Sequence, residues 1–266
     1  MAENQGRDAI NLLLSREELL VVLNLLRVTT IPGVEDDPAG EWSEAERAVA
    51  LRTAERALQA RQLLWSQTDG QLSLHNDLLA AVGTCAYADR ALFVYHWGEG
   101  QELPTPSFIH LRGAEIVVHT RPSDVLHLFT RLASQTQLTD FLVTTTQFTE
   151  TPNGTAEQWQ MPGALFVEVR RLVDSGATTA AVDLVARQAG GRAQAQALVD
   201  TLANGLRATN LQLRSRQPTG VAQQDYLLLQ NPQHTWLVTP SNNGGSMVIR
   251  PAGQQDLASL LSAAIA

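Results

Sequence analysis

The chain has 266 residues, of which 44% are hydrophobic and 17% charged. That composition supports a sizeable buried core and excludes a disordered chain. The formal charge is −8 and all nineteen basic residues are arginine. The balance opposes a nucleic-acid partner, whose phosphates call for clustered cations. The missing lysine excludes a P-loop, a Schiff base and an amine general base.

Cys85 is the lone cysteine, so an intrachain disulfide and a Cys-based zinc cage are ruled out. The polar start has no basic region leading into a long apolar stretch, and Asn24 interrupts the apolar run 19–26. Neither a signal peptide nor membrane insertion is expected, and the compartment reads as the cytoplasm.

Ser15-Arg16-Glu17-Glu18 has capping-box spacing, and Leu19, Val22, Leu23 and Leu26 follow on one face. The spacing predicts a helix of about three turns. Ile31-Pro32-Gly33 ends it and an acidic loop with Glu35, Asp36, Asp37 and Pro38 follows. Ser43 and Glu46 then repeat the capping spacing before an Ala-, Glu- and Arg-rich helix reaching about Gln62. Asp69-Gly70, between Leu63-Leu64-Trp65 and Leu72-Ser73-Leu74, reads as a small hairpin or wing, and a third helix spans roughly 77–86.

The period then changes. Segments 92–97, 108–111 and 115–120 are β-rich and form a three-stranded meander, with the Gly/Glu/Pro loop 98–106 inside it. A helix is expected after Pro122, a strand over 141–148, and a Pro/Gly/Asn-rich linker over 151–163. Beyond the linker, Leu165, Phe166, Val169, Leu172 and Val173 share a helical face closed by Gly176. A second helix, capped at Thr178, carries Val182 and Val185, and a third carries Leu198, Val199 and Leu202. Strands follow near 206–215, 226–230, 236–239 and 247–250, and a helix after Pro251 ends the chain.

The sequence repeats itself. Ile116-Val117-Val118-His119-Thr120-Arg121-Pro122 recurs about half the chain later as Ser246-Met247-Val248-Ile249-Arg250-Pro251. After the first Arg-Pro come Asp124, Val125, Leu128, Phe129 and Leu132; after the second come Asp256, Leu257, Leu260 and Leu261. Both sets have i, i+3, i+4 spacing. The expected fold is α+β, with two pseudo-twofold-related halves, 1–150 and 151–266, packed as one compact unit. Each half runs helices, antiparallel meander, closing helix.

Nothing in this layout spells a reaction. His96, His110, His119 and His127 fall in or after the first meander, and strand alternation could bring two of them to one face. No ligand spacing joins them, so ordinary strand histidines outweigh a metal site. Cys85 sits in an apolar helical stretch with no neighbouring cation, which reads as an inert buried thiol. Gly190-Gly191-Arg192 reads as a helix end and linker before it reads as an anion site. Arg121 and Arg250, each before a proline, could bind carboxylates, but a structural role is the stronger reading. Trp65, Trp97, Trp159 and Trp236 lie at hairpin edges or in the linker, where they could anchor a partner. Core packing competes with that reading. No catalytic residue, cofactor or metal is expected.

The element order, with an Ala/Arg-rich helix running into Leu63-Leu64, a short wing, a strand meander, an Arg-Pro helix and then the order again, resembles the EspG family of ESX (type VII) secretion chaperones. The resemblance implies a cytosolic, non-enzymatic chaperone that holds the helical tip of a PE–PPE-type substrate. It also implies binding through a loop between central strands and through the helices of the second half. The matching positions are Trp97, Gly98, Glu99, Gly100, Glu102, Leu103 and Phe108, together with Leu165, Val169, Leu198 and Leu202. The alternative is a winged-helix-like regulatory or signalling module that binds protein, suggested by the hairpin after the second helix.

Overall fold

In the computed structural model, which describes residues 11–34, 42–68, 70–149, 158–189, 191–241 and 245–265, the capping chemistry read from the sequence sets the first two helices. A short strand, β1 (Asn11–Ser15), leads into α1 (Arg16–Leu26). Ser15 Oγ accepts from the Glu18 N–H at 3.1 Å, and Glu18 Oε2 accepts from the Ser15 N–H at 2.8 Å. Two orphan donors are thereby satisfied reciprocally. Ser43 and Glu46 do the same for α2 (Glu44–Ala60) at 3.3 and 2.8 Å. Arg61, just past α2, donates from Nη1 to both Glu18 carboxylate oxygens and from Nη2 to the Leu13 carbonyl at 2.8 Å. One guanidinium thus ties β1, α1 and α2 together.

The hairpin β2 (Leu64–Ser66) and β3 (Leu72–Leu74) follows, then α3 (Asn76–Ala86), β4 (Arg90–Trp97), β5 (Thr105–Arg112), β6 (Glu115–Ser123), β7 (Leu126–Leu132) and α4 (Gln135–Thr145). The order then repeats with β8 (Trp159–Pro162), α5 (Gly163–Asp174), α6 (Thr178–Ala186), α7 (Arg192–Ala203), β9 (Arg207–Gln217), β10 (Gly220–Gln230), β11 (Thr235–Pro240), β12 (Ser246–Pro251) and α8 (Gln254–Ile265). A strand, three helices, four strands and a helix occur twice, with β2–β3 as an insertion in the first pass. The expected acidic loop at Glu35 to Pro38, Asp69, Gly190 and linker residues 151–157 lie outside the described residues.

Three expectations are corrected. The segment after Pro122 is the strand β7, not a helix, because Arg121-Pro122 sits where the β6–β7 register shifts between Thr120 and Ser123. A proline has no N–H to give a ladder, and such a bulge is where a sheet tolerates one. The segment 141–148 is mostly helical, not a strand. The start of α4 is fixed by Ser134 Oγ accepting from the Gln137 N–H at 3.2 Å and by Gln137 Oε1 accepting from the Ala133 N–H at 2.7 Å. The end of the expected linker is β8. The repeat is therefore one of element order, but its two Arg-Pro pairs are not equivalent: β12 matches β7, the last strand of its meander, and not β6.

The chain divides into two compact units, residues 1–92 with 106–137, and residues 93–105 with 138–266. In the first, strands run in the order β1-β7-β6-β5, with Leu12 opposite Phe129 and Phe108 opposite His119. Leu14, Val117 and Phe129 meet Leu19, Val22 and Leu23 of α1, Leu58 of α2 and Leu78 and Val82 of α3 in one core. Gly33, at φ +87°, lies so close to Phe108 that a Cβ there would fall 2.3 Å from the ring, so only glycine fits.

In the second unit the order is β9-β10-β11-β12-β8. Trp159, Met161, Trp236 and Ile249 pack on Val169, Val182, Leu198 and Val199 of the three helices. The Trp159 and Trp236 rings meet edge to face at 5.4 Å, and Trp236 Nε1 donates to Thr201 Oγ1 at 3.0 Å. These two tryptophans are core rather than edge anchors. Trp65 remains 43% exposed. Trp236→Ala is therefore expected to cost about 3–5 kcal/mol, and Trp65→Ala less than about 1 kcal/mol. Urea denaturation of the two variants beside wild type checks the contrast.

Candidate partner-binding site

The loop between β4 and β5 lies in the second unit and is built as a closed turn. Gly98 N–H donates to Gln101 Oε1 at 2.9 Å, Gln101 N–H returns to the Gly98 carbonyl at 3.2 Å, and Gly100 turns the chain at φ +71°. Glu99, Gly100 and Glu102 are exposed, and Trp97 and Gly98 are half-buried. Leu103 is 81% exposed. The loop thus presents one aliphatic side chain and two carboxylates to solvent, and its residues from 98 to 103 contribute nothing to the core.

The other positions matched by resemblance divide by burial. Phe108 belongs to the first unit, buried against Gly33 with its ring 5.7 Å from that of His119. Val169, Leu198 and Leu202 are buried in the core of the second unit. In the free chain, folding has already removed these four side chains from water. They hold β5, α5 and α7 in place. Leu165 is half-buried, and two residues on, Val167 is 67% exposed on the outer face of α5. The stripe matched by resemblance turns toward the core, and Val167 lies outside it.

The arginines and the cysteine that the sequence singled out are paired or buried. Arg250 pairs with Asp256, which also accepts from the Gly253 N–H at 2.8 Å, and Arg121 lies 3.8 Å from Asp124. Each arginine fastens its own turn. Cys85 is buried, and burial pushes its thiol pKa well above the ordinary value. No group of His, Cys, Asp or Glu that could hold a metal occurs among the described residues.

The histidines make an arrangement that the sequence reading missed. His110, His119 and His127 are buried on the helix-covered face of β5, β6 and β7. His119 Nε2 lies 2.9 Å from His127 Nδ1, one ring donating and the other accepting, and His119 stacks on Phe129 at 4.6 Å. Neither ring nitrogen of His110 has a partner among the described residues. Burial holds His110 and His119 at a pKa of about 3 and His127 at about 4, all below the ordinary 6.5. Arg121 on β6 and Arg16 on α1 push His127 further down, and Glu17 pushes back. His96 is in the second unit instead, with Nδ1 2.9 Å from Thr209 Oγ1. Reading 124–132 as a helix took His127 off its strand and hid the cluster.

No protein-family model and no curated protein matches the sequence. Among solved structures, the chain is similar to the Mycobacterium tuberculosis type VII secretion system chaperone EspG5, which was solved in complex with a PE25–PPE41 dimer. The match covers 96% of this chain and 95% of that chain with a TM-score of 0.69 and 9% sequence identity. At that identity the likeness is one of fold: the α+β architecture is of the EspG kind over the 96% of the chain that is matched. No helix among the described residues is long and apolar enough to cross a membrane.

The buried imidazoles set a pH dependence whose sign is fixed. Their folded pKa values are depressed, so between the ordinary 6.5 and about 3–4 the unfolded chain binds protons that the folded chain refuses. Stability is expected to fall as pH drops below about 6.5, each histidine adding up to about 1.4 kcal/mol per pH unit. His96 is also held below its ordinary value by burial, so His110→Leu should flatten the slope by about a quarter to a third. Urea midpoints of both proteins from pH 7 to pH 5 measure it.

Proposed function

We propose that this protein is a non-enzymatic cytoplasmic chaperone that holds a helical secretion client of the PE–PPE type. The observation that carries the reading is the likeness, over nearly the full length of both chains, to a type VII secretion chaperone solved with such a dimer. The chemistry of the chain agrees with it. A thiol buried without an activating cation and imidazoles kept neutral in the core offer no nucleophile or general base to a substrate. A loop that folding does not need offers Leu103 to a client.

In this reading the client's apolar tip packs on Leu103 and Trp97, with Glu99 and Glu102 at the rim and the exposed side of α5, at Leu165 and Val167, as a further contact. An apolar helix end seated against aliphatic and aromatic anchors is a common mode of helix recognition. Replacing residues 98–104 by two glycines, or changing Leu103→Asp, is expected to lower client capture at least about tenfold. The melting temperature should stay within a few degrees, since these side chains are outside the core. Pull-downs from the native host with wild-type and loop-deleted protein decide the matter. Identical partner profiles from two well-folded samples would remove the loop from the site.

A further inference from the structure

One cavity of the second unit has a chemistry that the loop lacks. β10, β11 and β12 open a space of about 400 Å³ beside the start of α5. Leu227 lies opposite Val238 on one side and Asn210 on the other, while Val238 is two residues from Pro240, which faces Met247. Strand alternation therefore puts Leu227, Val238 and Met247 on one floor, with Asn210 and Asp225 on the same face at the polar side. The wall is backbone. Gly163 N–H donates to the Gly245 carbonyl at 2.7 Å, and a Cβ on Gly163 would stand 3.3 Å from that oxygen.

Among the described residues, the carboxylate at this cavity lacks a counter-charge: Asp225 accepts from the neutral Gln223 amide alone, at 3.0 and 3.2 Å, and no arginine pairs with it. The arginine nearest in register, Arg214, stands opposite Gln223, but its guanidinium lies over the Phe93 ring at 4.4 Å and donates to Gln212 at 3.3 Å. The Asn210 amide has no side-chain partner among the described residues either. An apolar floor ending in a carboxylate without a counter-charge and an amide oxygen without a side-chain partner matches a long methylene stem ending in a planar cation.

We infer that this cavity receives an arginine side chain of the protein client, with its stem along Leu227, Val238 and Met247 and its guanidinium on Asp225 and Asn210 Oδ1. Arginine suits the site better than lysine. Its flat fork can pair with the carboxylate through two N–H groups and still reach a neighbouring amide oxygen. An anionic ligand would meet Asp225 and be repelled. That the arginine belongs to a client rests on the chaperone reading above; the chemistry of the cavity does not.

The test uses the purified full chain and three small probes of one length, n-butylguanidinium, 1-pentanol and pentanoate, titrated while the amide signals of Gly163, Leu227 and Gly245 are followed by NMR. The guanidinium should saturate at roughly millimolar concentration and bind at least about threefold tighter than the alcohol, with pentanoate weakest. Asp225→Asn should bring the cation down to the level of the alcohol. Asp225→Arg, which supplies a guanidinium from the rim itself, should abolish binding of the cation and lower client capture at least about fivefold. Pentanoate binding as tightly as butylguanidinium, no saturable shift with the cation, or unchanged client capture by Asp225→Arg would each overturn the proposal. The titration needs no client. Its failure therefore removes the arginine assignment and leaves the chaperone reading to the loop deletion.

Discussion

Each pass of the repeated element order depends on its leading strand returning to the last strand of the meander that follows it: β1 lies on β7, and β8 on β12. Three helices lie between that strand and its meander in each pass, and they pack on one face of the sheet. Parity then decides the core. In β1, Leu12 and Leu14 point into the first unit while Leu13 is 43% exposed. In β8, Trp159 and Met161 are buried between exposed neighbours. A slip of one residue would exchange these sets and turn two large apolar side chains out into water.

That dependence also explains how much could be read from the sequence. Local chemistry was plain: Ser15 with Glu18 and Ser43 with Glu46 announce helices because both partners lie within four residues of each other. Ser134 with Gln137 is the same signal in a weaker dress, and the β-branched run 143–146 drew attention away from it. The segment 126–132 was ambiguous in principle, since its apolar residues satisfy a helical stripe and, as Leu126, Leu128, Thr130 and Leu132, a strand alternation as well. What decides it is pairing with β1, more than a hundred residues earlier, and no local window contains that. The duplication survived the error because it resides in the order of elements, while the residues that advertised it do not correspond.

At the candidate site the legible part was the loop, whose Gly, Glu and Pro content marks a segment outside the core. An amphipathic stripe identifies the face that folding will bury, and Val169, Leu198 and Leu202 are part of the core. The residues proposed for recognition, such as Val167, Asn210 and Asp225, stand out only once the sheet and helices are in place. Binding surfaces of this kind are assembled from what the fold does not use, which is why they leave so little trace in periodicity.

Glu18 carries a consequence for how the first unit can be dissected. Its carboxylate closes the capping box of α1 with Ser15 and also receives the guanidinium of Arg61 beyond α2. The first contact spans three residues and the second spans forty-three. No single substitution at this position separates a helix cap from a tertiary ion pair. Effects of changes at Ser15, Glu18 and Arg61 will not add, and the coupling, of the order of 0.5–3 kcal/mol for residues that share one network, belongs to the set of three and to none of its members.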